Sequence, residues 1–195
     1  MNNAVQRKYD SRHYIIEKID GKIVAFARPG RWHTTLTLRI ASVFERFLKG
    51  KICKTYFETD VQLDENTTVV PDVIVVCDPN KKSNDGKKII GAPDLIVEIL
   101  SPTTLRHDKT IKKDLYEKYG VKELWLVSPL DEFIDVFLLD NNGKYYLNDS
   151  YGYYELDDTL DADEIANHTP YFTTSLYGDD LKIELKELFE GLKDY

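Results

Sequence analysis

The chain has 195 residues, of which 42% are hydrophobic, and a net charge of −8 from 26 basic and 34 acidic side chains. That is enough apolar sequence for a single domain, residues 1–195, with a sizeable core. No apolar stretch approaches the roughly 18 residues of a membrane-spanning helix, and "MNNAVQRKYD" lacks the charged-then-apolar layout of a signal peptide. The expectation is a cytoplasmic protein without a membrane partner.

Net acidity argues against a polyanionic partner, but the charge is unevenly spread. Residues 1–78 carry 12 basic and 10 acidic residues, 79–130 carry 10 and 7, and 131–195 carry 4 and 17. The acidity therefore belongs to the last third, and the middle holds the basic runs "KKSNDGKK" and "RHDKTIKK". Cys53 and Cys77 have no CxxC spacing and sit in strand-like segments, so they read as reduced core residues, with neither a disulfide framework nor a zinc site.

In chain order, "HYIIEKIDGKIVAFARP" reads as two strands turned at Asp20-Gly21. Trp32 to Leu48 reads as a helix, because Leu36, Ile40, Val43, Phe44 and Phe47 recur at helical spacing and Gly50 ends the pattern. Three strands follow, Thr55 to Leu63, Val69 to Cys77 and Asp94 to Leu100, with a polar loop from Asp78 to Gly91 between the last two. A second helix spans Arg106 to Tyr119, is stopped by Gly120 and leads into the strand "ELWLVS". "FIDVFLLD", "KYYL" and "YGYYEL" add strands, and "LKIELKELFEGL" ends in a short helix. Helix, three strands, helix, strand predicts an α/β fold with a mixed sheet, not a doubly wound parallel one.

Glu98 interrupts an aliphatic strand, where a carboxylate is costly unless it has a partner. If Val69 to Cys77 and Asp94 to Leu100 form a hairpin in which Val76 lies opposite Asp94, then Asp72 lies opposite Glu98. Cross-strand partners project from one face with Cβ atoms about 4.5–5.5 Å apart. Two like charges so placed are unfavourable alone and favourable around a divalent cation such as Mg²⁺, with Mn²⁺ as a substitute. Asp94 lies four residues from Glu98, about 13 Å along the strand, and reads primarily as a strand-entry residue. On a helical wheel, Lys112 falls among Ile111, Leu115, Tyr116 and Tyr119 on the apolar arc, whereas Lys109, Lys113 and Glu117 point outward. Such a lysine either snorkels to the surface or meets a buried charge.

"VVPDVIVVCD", "GAPDLIVEILSPTTLRHDKTIKKDLYEKYGVKELWLVSP" and "IDGKIVAFARPGRWH" together resemble the bacterial "putative restriction endonuclease" family, formerly a domain of unknown function, of the PD-(D/E)XK nuclease superfamily. The resemblance runs from about Tyr14 to Phe189 and implies a restriction-endonuclease-like core with added N- and C-terminal strands. It implies that Asp72 is the PD aspartate and Glu98 the following acidic residue, with the Ile99 carbonyl as a further metal ligand. Leu100 stands where the superfamily carries its lysine, and the resemblance implies that Lys112 replaces it within an Asp108, Lys112, Tyr116 pattern. His33 matches a family histidine and reads either as a residue near substrate or as a locally packed helix-start histidine. A homodimer is also implied.

The expected activity is Mg²⁺-dependent endonucleolytic hydrolysis of nucleic acid, with DNA as the expected partner and Asp72, Glu98 and Lys112 as the catalytic set. Lys81, Lys82, Lys87, Lys88 and Arg106 would neutralise phosphates. The alternative is a nuclease-fold module that binds DNA or protein without cleaving. No GxSxG, Walker loop or HExxH is present, so acyl transfer and nucleotide hydrolysis have no sequence support.

Overall fold

Asp20 and Gly21 both take positive φ, 46° and 79°, which closes β1 (Tyr14–Ile19) on β2 (Lys22–Ala27) in a two-residue hairpin whose turn matches the strand twist. The computed structural model describes residues 13–156 and 159–194. The amino-terminal stretch read above for a signal peptide lies outside them. Helix α1 (Arg31–Leu48) follows and buries Leu36, Ile40, Val43, Phe44 and Leu48.

The chain then passes repeatedly between two sheets. β3 (Lys54–Phe57) lies in a six-stranded sheet, and β4 (Asp60–Asp64) and β5 (Thr67–Val69) lie in a five-stranded one. β6 (Val73–Val76) and β8 (Leu95–Ile99) return to the first. The strands predicted over Thr55–Leu63 and Val69–Cys77 are therefore each two strands. The breaks fall at Glu58, whose φ is 44°, and around the buried Pro71, which cannot donate to a ladder. The β3–β4 and β5–β6 crossings touch where the Glu58 N–H donates to the Asp72 carbonyl at 3.2 Å. Within the polar loop, β7 (Lys88–Ile90) runs parallel to β4.

The six-stranded sheet has the order β11-β10-β9-β8-β6-β3, with β9 (Glu123–Ser128) parallel to β8, β10 (Phe133–Leu139) antiparallel to it, and β11 (Tyr145–Gly152) at the edge. The mixed α/β architecture expected from the sequence is observed. Both faces of its central strands are buried, which is why β6, β8 and β9 read as unbroken aliphatic runs. Val73, Val75, Leu95, Val97 and Trp125 pack against α1, together with Phe172, Leu188 and Phe189 from the C-terminal elements. Ile74, Val76, Ile96, Leu100 and Leu124 pack on the other face against Tyr116 and against Ile19, Val61 and Val69 of the five-stranded sheet. β12 (Tyr171–Thr174) and β13 (Gly178–Glu184) form a separate pair, and Leu185–Phe189 is the short closing helix.

Cys53 and Cys77, expected as reduced residues, form a disulfide instead. Register explains the correction: Lys54 pairs with Val76, so the next residues outward face each other across antiparallel strands. Their separation of 24 residues gives no hint of that neighbourhood. Among the described residues no helix is long and apolar enough to cross a membrane.

Candidate active site

β6 and β8 pair antiparallel with Val73 opposite Val97 and Val75 opposite Leu95. One step outward, Asp72 falls opposite Glu98, in the register expected from the sequence. Pleat alternation sends Leu95, Val97 and Ile99 toward α1, so Glu98 and Asp72 share the opposite face, beside Tyr116.

The segment after β8 supplies the lysine, but not as one regular helix. Leu105–His107 is helical, Asp108–Lys112 is π-helical, and Lys113–Tyr119 is α-helical up to Gly120. The wider winding advances each residue by less than the about 100° of an α-helix. Asp108 and Lys112 are thereby both buried, at 3% and 5% exposure, while Ile111, placed on the apolar arc by the wheel, is 49% exposed.

Lys112 Nζ lies 3.2 and 3.4 Å from the two oxygens of Glu98 and 3.8 Å from Asp108 Oδ1. Tyr116 donates its hydroxyl to Glu98 Oε1. Asp72 Oδ2 accepts the Ile99 N–H at 2.7 Å and lies 3.2 Å from His33 Nε2, presented by the first turn of α1. Both contacts fall on Oδ2, which leaves Oδ1 for a further partner. A residue that sequence reasoning passed over completes the cluster: Glu17 of β1, 1% exposed, places Oε1 2.9 Å from Lys112 Nζ and 2.9 Å from the Val70 N–H. A signal existed, since Glu17 alternates with Ile15 and Ile19 on one face of its strand. These groups line a cleft of about 290 Å³ between the sheets, bordered by Arg28, Pro29 and the Ser101–Thr104 turn.

Negative charge is in surplus here, and it shifts the protonation of the groups around it. Burial pushes the Glu98 carboxyl well above the usual range; Lys112 opposes the shift, and Asp108, Asp72 and Glu17 reinforce it. Burial likewise raises Asp108 against the pull of Lys112. Lys112 is pulled down by burial, but Glu98, Glu17, Asp108 and Asp72 carry it well above the ordinary lysine value. His33 is lowered by burial yet ends above its ordinary value because of Asp72, Asp108 and Glu58. Burial and the neighbouring Glu98 keep the Tyr116 hydroxyl protonated.

Asp94 stands apart. It accepts the Cys77 N–H at 2.8 Å and pairs with Lys122 at 2.8 Å, as a strand-entry residue should. Burial pushes it up, and these donors more than offset the push. Asp94→Ala is expected to cost about 1–3 kcal/mol in urea unfolding, through the orphaned Cys77 amide, without changing cation affinity at the cleft. The basic residues are also separate from the cleft lining. Lys81 donates to the Ala92 carbonyl at 2.6 Å and Lys88 to Gln62 Oε1 at 2.9 Å. Lys82, Lys87 and Lys88 line a second recess with Glu58, and the Glu58–Arg28 pair at 3.6 Å links it to the cleft. Arg106 is exposed on the helix after the Ser101–Thr104 turn.

The two-sheet α/β architecture thus carries an acidic cleft between its layers. Residues 4–169 match the Uma2 family, described as "Putative restriction endonuclease", and the chain belongs to that family. A crystal structure from Anabaena variabilis ATCC 29413, described as a "putative nuclease belonging to DUF820", shares the fold with a TM-score of 0.70 and 20% identity, over 96% of both chains. A Synechocystis sp. protein described as uncharacterized is 28% identical over 154 residues, 77% of each chain.

The residues fit a sparsely ligated hard cation. Among the described residues no three His, Cys, Asp or Glu side chains form a ready-made ligand set. The holders would be Asp72 and Glu98 with the Ile99 carbonyl and water, the kind of set Mg²⁺ accepts, and the buried negative surplus favours a dication.

Proposed function

We propose that this cleft hydrolyses nucleic-acid phosphodiester bonds, as an endonuclease acting on DNA with Mg²⁺ or Mn²⁺. The observation that carries the reading is the buried lysine held between carboxylates from two sheets, with Asp72 and Glu98 side by side in register. A dication held by Asp72, Glu98 and the Ile99 carbonyl would polarise the scissile phosphate and lower the pKa of bound water.

The chain's own groups do the rest. Lys112 Nζ carries three N–H donors that orient water or neutralise charge developing on the phosphoryl oxygens. Tyr116 orients Glu98, and the Ile99 N–H and His33 orient Asp72, so both carboxylates are held facing the cleft where they would bind a cation. Leu100, at the superfamily's usual lysine position, is packed in the core and cannot substitute for Lys112. Lys81, Lys82, Lys87, Lys88 and Arg106 would contact flanking phosphates, giving binding that weakens as salt rises.

The test is nicking of supercoiled DNA with Mg²⁺ or Mn²⁺, alongside cation-induced thermal stabilisation. Asp72→Ala is expected to abolish the stabilisation and cut nicking by at least about 100-fold, the scale of losing one group that stabilises transition-state charge. A wild-type protein that neither nicks nor gains stability from the cation would be a binding module instead.

A further inference from the structure

Glu17 has an unusual division of labour between its two oxygens. Oε1 takes the Val70 N–H and the Lys112 ammonium, both at 2.9 Å. Oε2 is buried with no hydrogen-bond partner among the described residues. A carboxylate offers about four acceptor positions, and a purely structural glutamate at this depth would use both oxygens.

We propose that Glu17 is the positioning residue that holds the Lys112 ammonium in the cleft when Glu98 turns to a cation. The inference rests on the metal-dependent reading above. In the structure Lys112 is shared: it is 2.9 Å from Glu17 and 3.2 Å from Glu98. A dication on Glu98 competes for its oxygens and repels the ammonium. The lysine then needs another anion, or its long stem carries it toward water. Asp108, at 3.8 Å, is beyond hydrogen-bonding distance. Glu17 has an oxygen to spare, and it is anchored on the other sheet by the Val70 amide, so it stays in place while Glu98 changes partners. Without it, Lys112 and the cation compete for the same carboxylate.

The test is a double-mutant cycle on Mn²⁺ affinity, measured by titration calorimetry without nucleic acid in wild type, Glu17→Gln, Lys112→Met and the double variant. Glutamine still accepts the Val70 N–H. Glu17→Gln is expected to weaken Mn²⁺ binding about tenfold when Lys112 is present and less than about threefold in the Lys112→Met background. Equal losses in both backgrounds would mean that Glu17 acts on the ion directly, and would overturn the proposal. Unchanged affinity with a lower melting temperature would also overturn it, leaving a packing role. If Glu17→Gln does not fold, Glu17→Asp keeps the charge but withdraws it by one methylene. It should reproduce the Lys112-dependent loss, and wild-type affinity in that variant counts against the idea. Asp72→Ala separates the two levels. If wild type shows no Mn²⁺ binding that Asp72→Ala removes, the metal reading fails and this inference with it. If that binding is present but the cycle shows no coupling, the role of Glu17 alone is rejected.

Discussion

Lys112→Ala is expected to destabilise the cation-free protein by about 3–5 kcal/mol, the usual cost of removing one partner from a buried ion pair. In thermal unfolding this corresponds to a fall in melting temperature on the order of 10 °C for a chain of this length. The magnitude follows from what is left behind. Lys112 is the buried cation beside Glu17, Glu98, Asp108 and Asp72, and all four carboxylates are themselves buried. Mn²⁺ or Mg²⁺ should recover part of the loss by supplying positive charge, while nicking stays at background. Lys113→Ala is the control. Its amine sits 4.9 Å above the Phe137 ring on the half-buried side of the helix, a contact worth about 0.5–1 kcal/mol. Equal losses from the two variants would contradict the placement of Lys112 at the centre of the cluster.

The second large effect is in pH. Glu98 has a folded-state pKa raised above the unfolded value of 4.5, and Asp108 one raised above 3.8. A carboxyl raised in this way stabilises the fold fully below its unfolded pKa, and that stability is lost as pH climbs through the folded value. Cation-free stability should therefore decline upward from about pH 4, with a slope of up to about 1.4 kcal/mol per pH unit for each proton involved. A dication favours the ionised carboxylates, so its stabilising effect should grow over the same window. Glu98→Gln keeps an oxygen for Tyr116 and carries no charge. It is expected to flatten the decline, to equal or exceed wild-type stability at neutral pH without cation, and to gain nothing from Mn²⁺. A marked loss of neutral-pH stability would mean that the Lys112–Glu98 attraction outweighs the surrounding repulsion.

The pairing of β6 with β8 was legible because both are aliphatic runs entered by Pro-Asp, and the register supposed for them, Val76 opposite Asp94 and hence Asp72 opposite Glu98, is the one observed. Lys112 was legible for a related reason, as a charge on an apolar arc, even though the winding there is π rather than α. Ile111 was misplaced by that same departure, which no residue in "DKTIKK" announces. The strand break at Glu58 was hidden because a non-glycine residue takes the left-handed turn. The Cys53–Cys77 bond and the Asp94–Lys122 pair depend on which strands become neighbours, and spacing along the chain does not encode that. Glu17 was visible as a charge on an apolar strand face, but its partner lies 95 positions away, in a different layer of the molecule.

The passage of the chain between the two sheets also makes the cleft a sensor of tertiary assembly. Glu17 and Val70 arrive with one layer, Glu98 and Ile99 with the other, and Asp72 sits on the return path between them. Sliding one layer past the other by a single residue, about 3.3 Å, would take the amine out of reach of one of its acids. A fragment lacking the first hairpin could keep the aliphatic slab intact and still lose half of the grip on its lysine, which would have left with the missing piece.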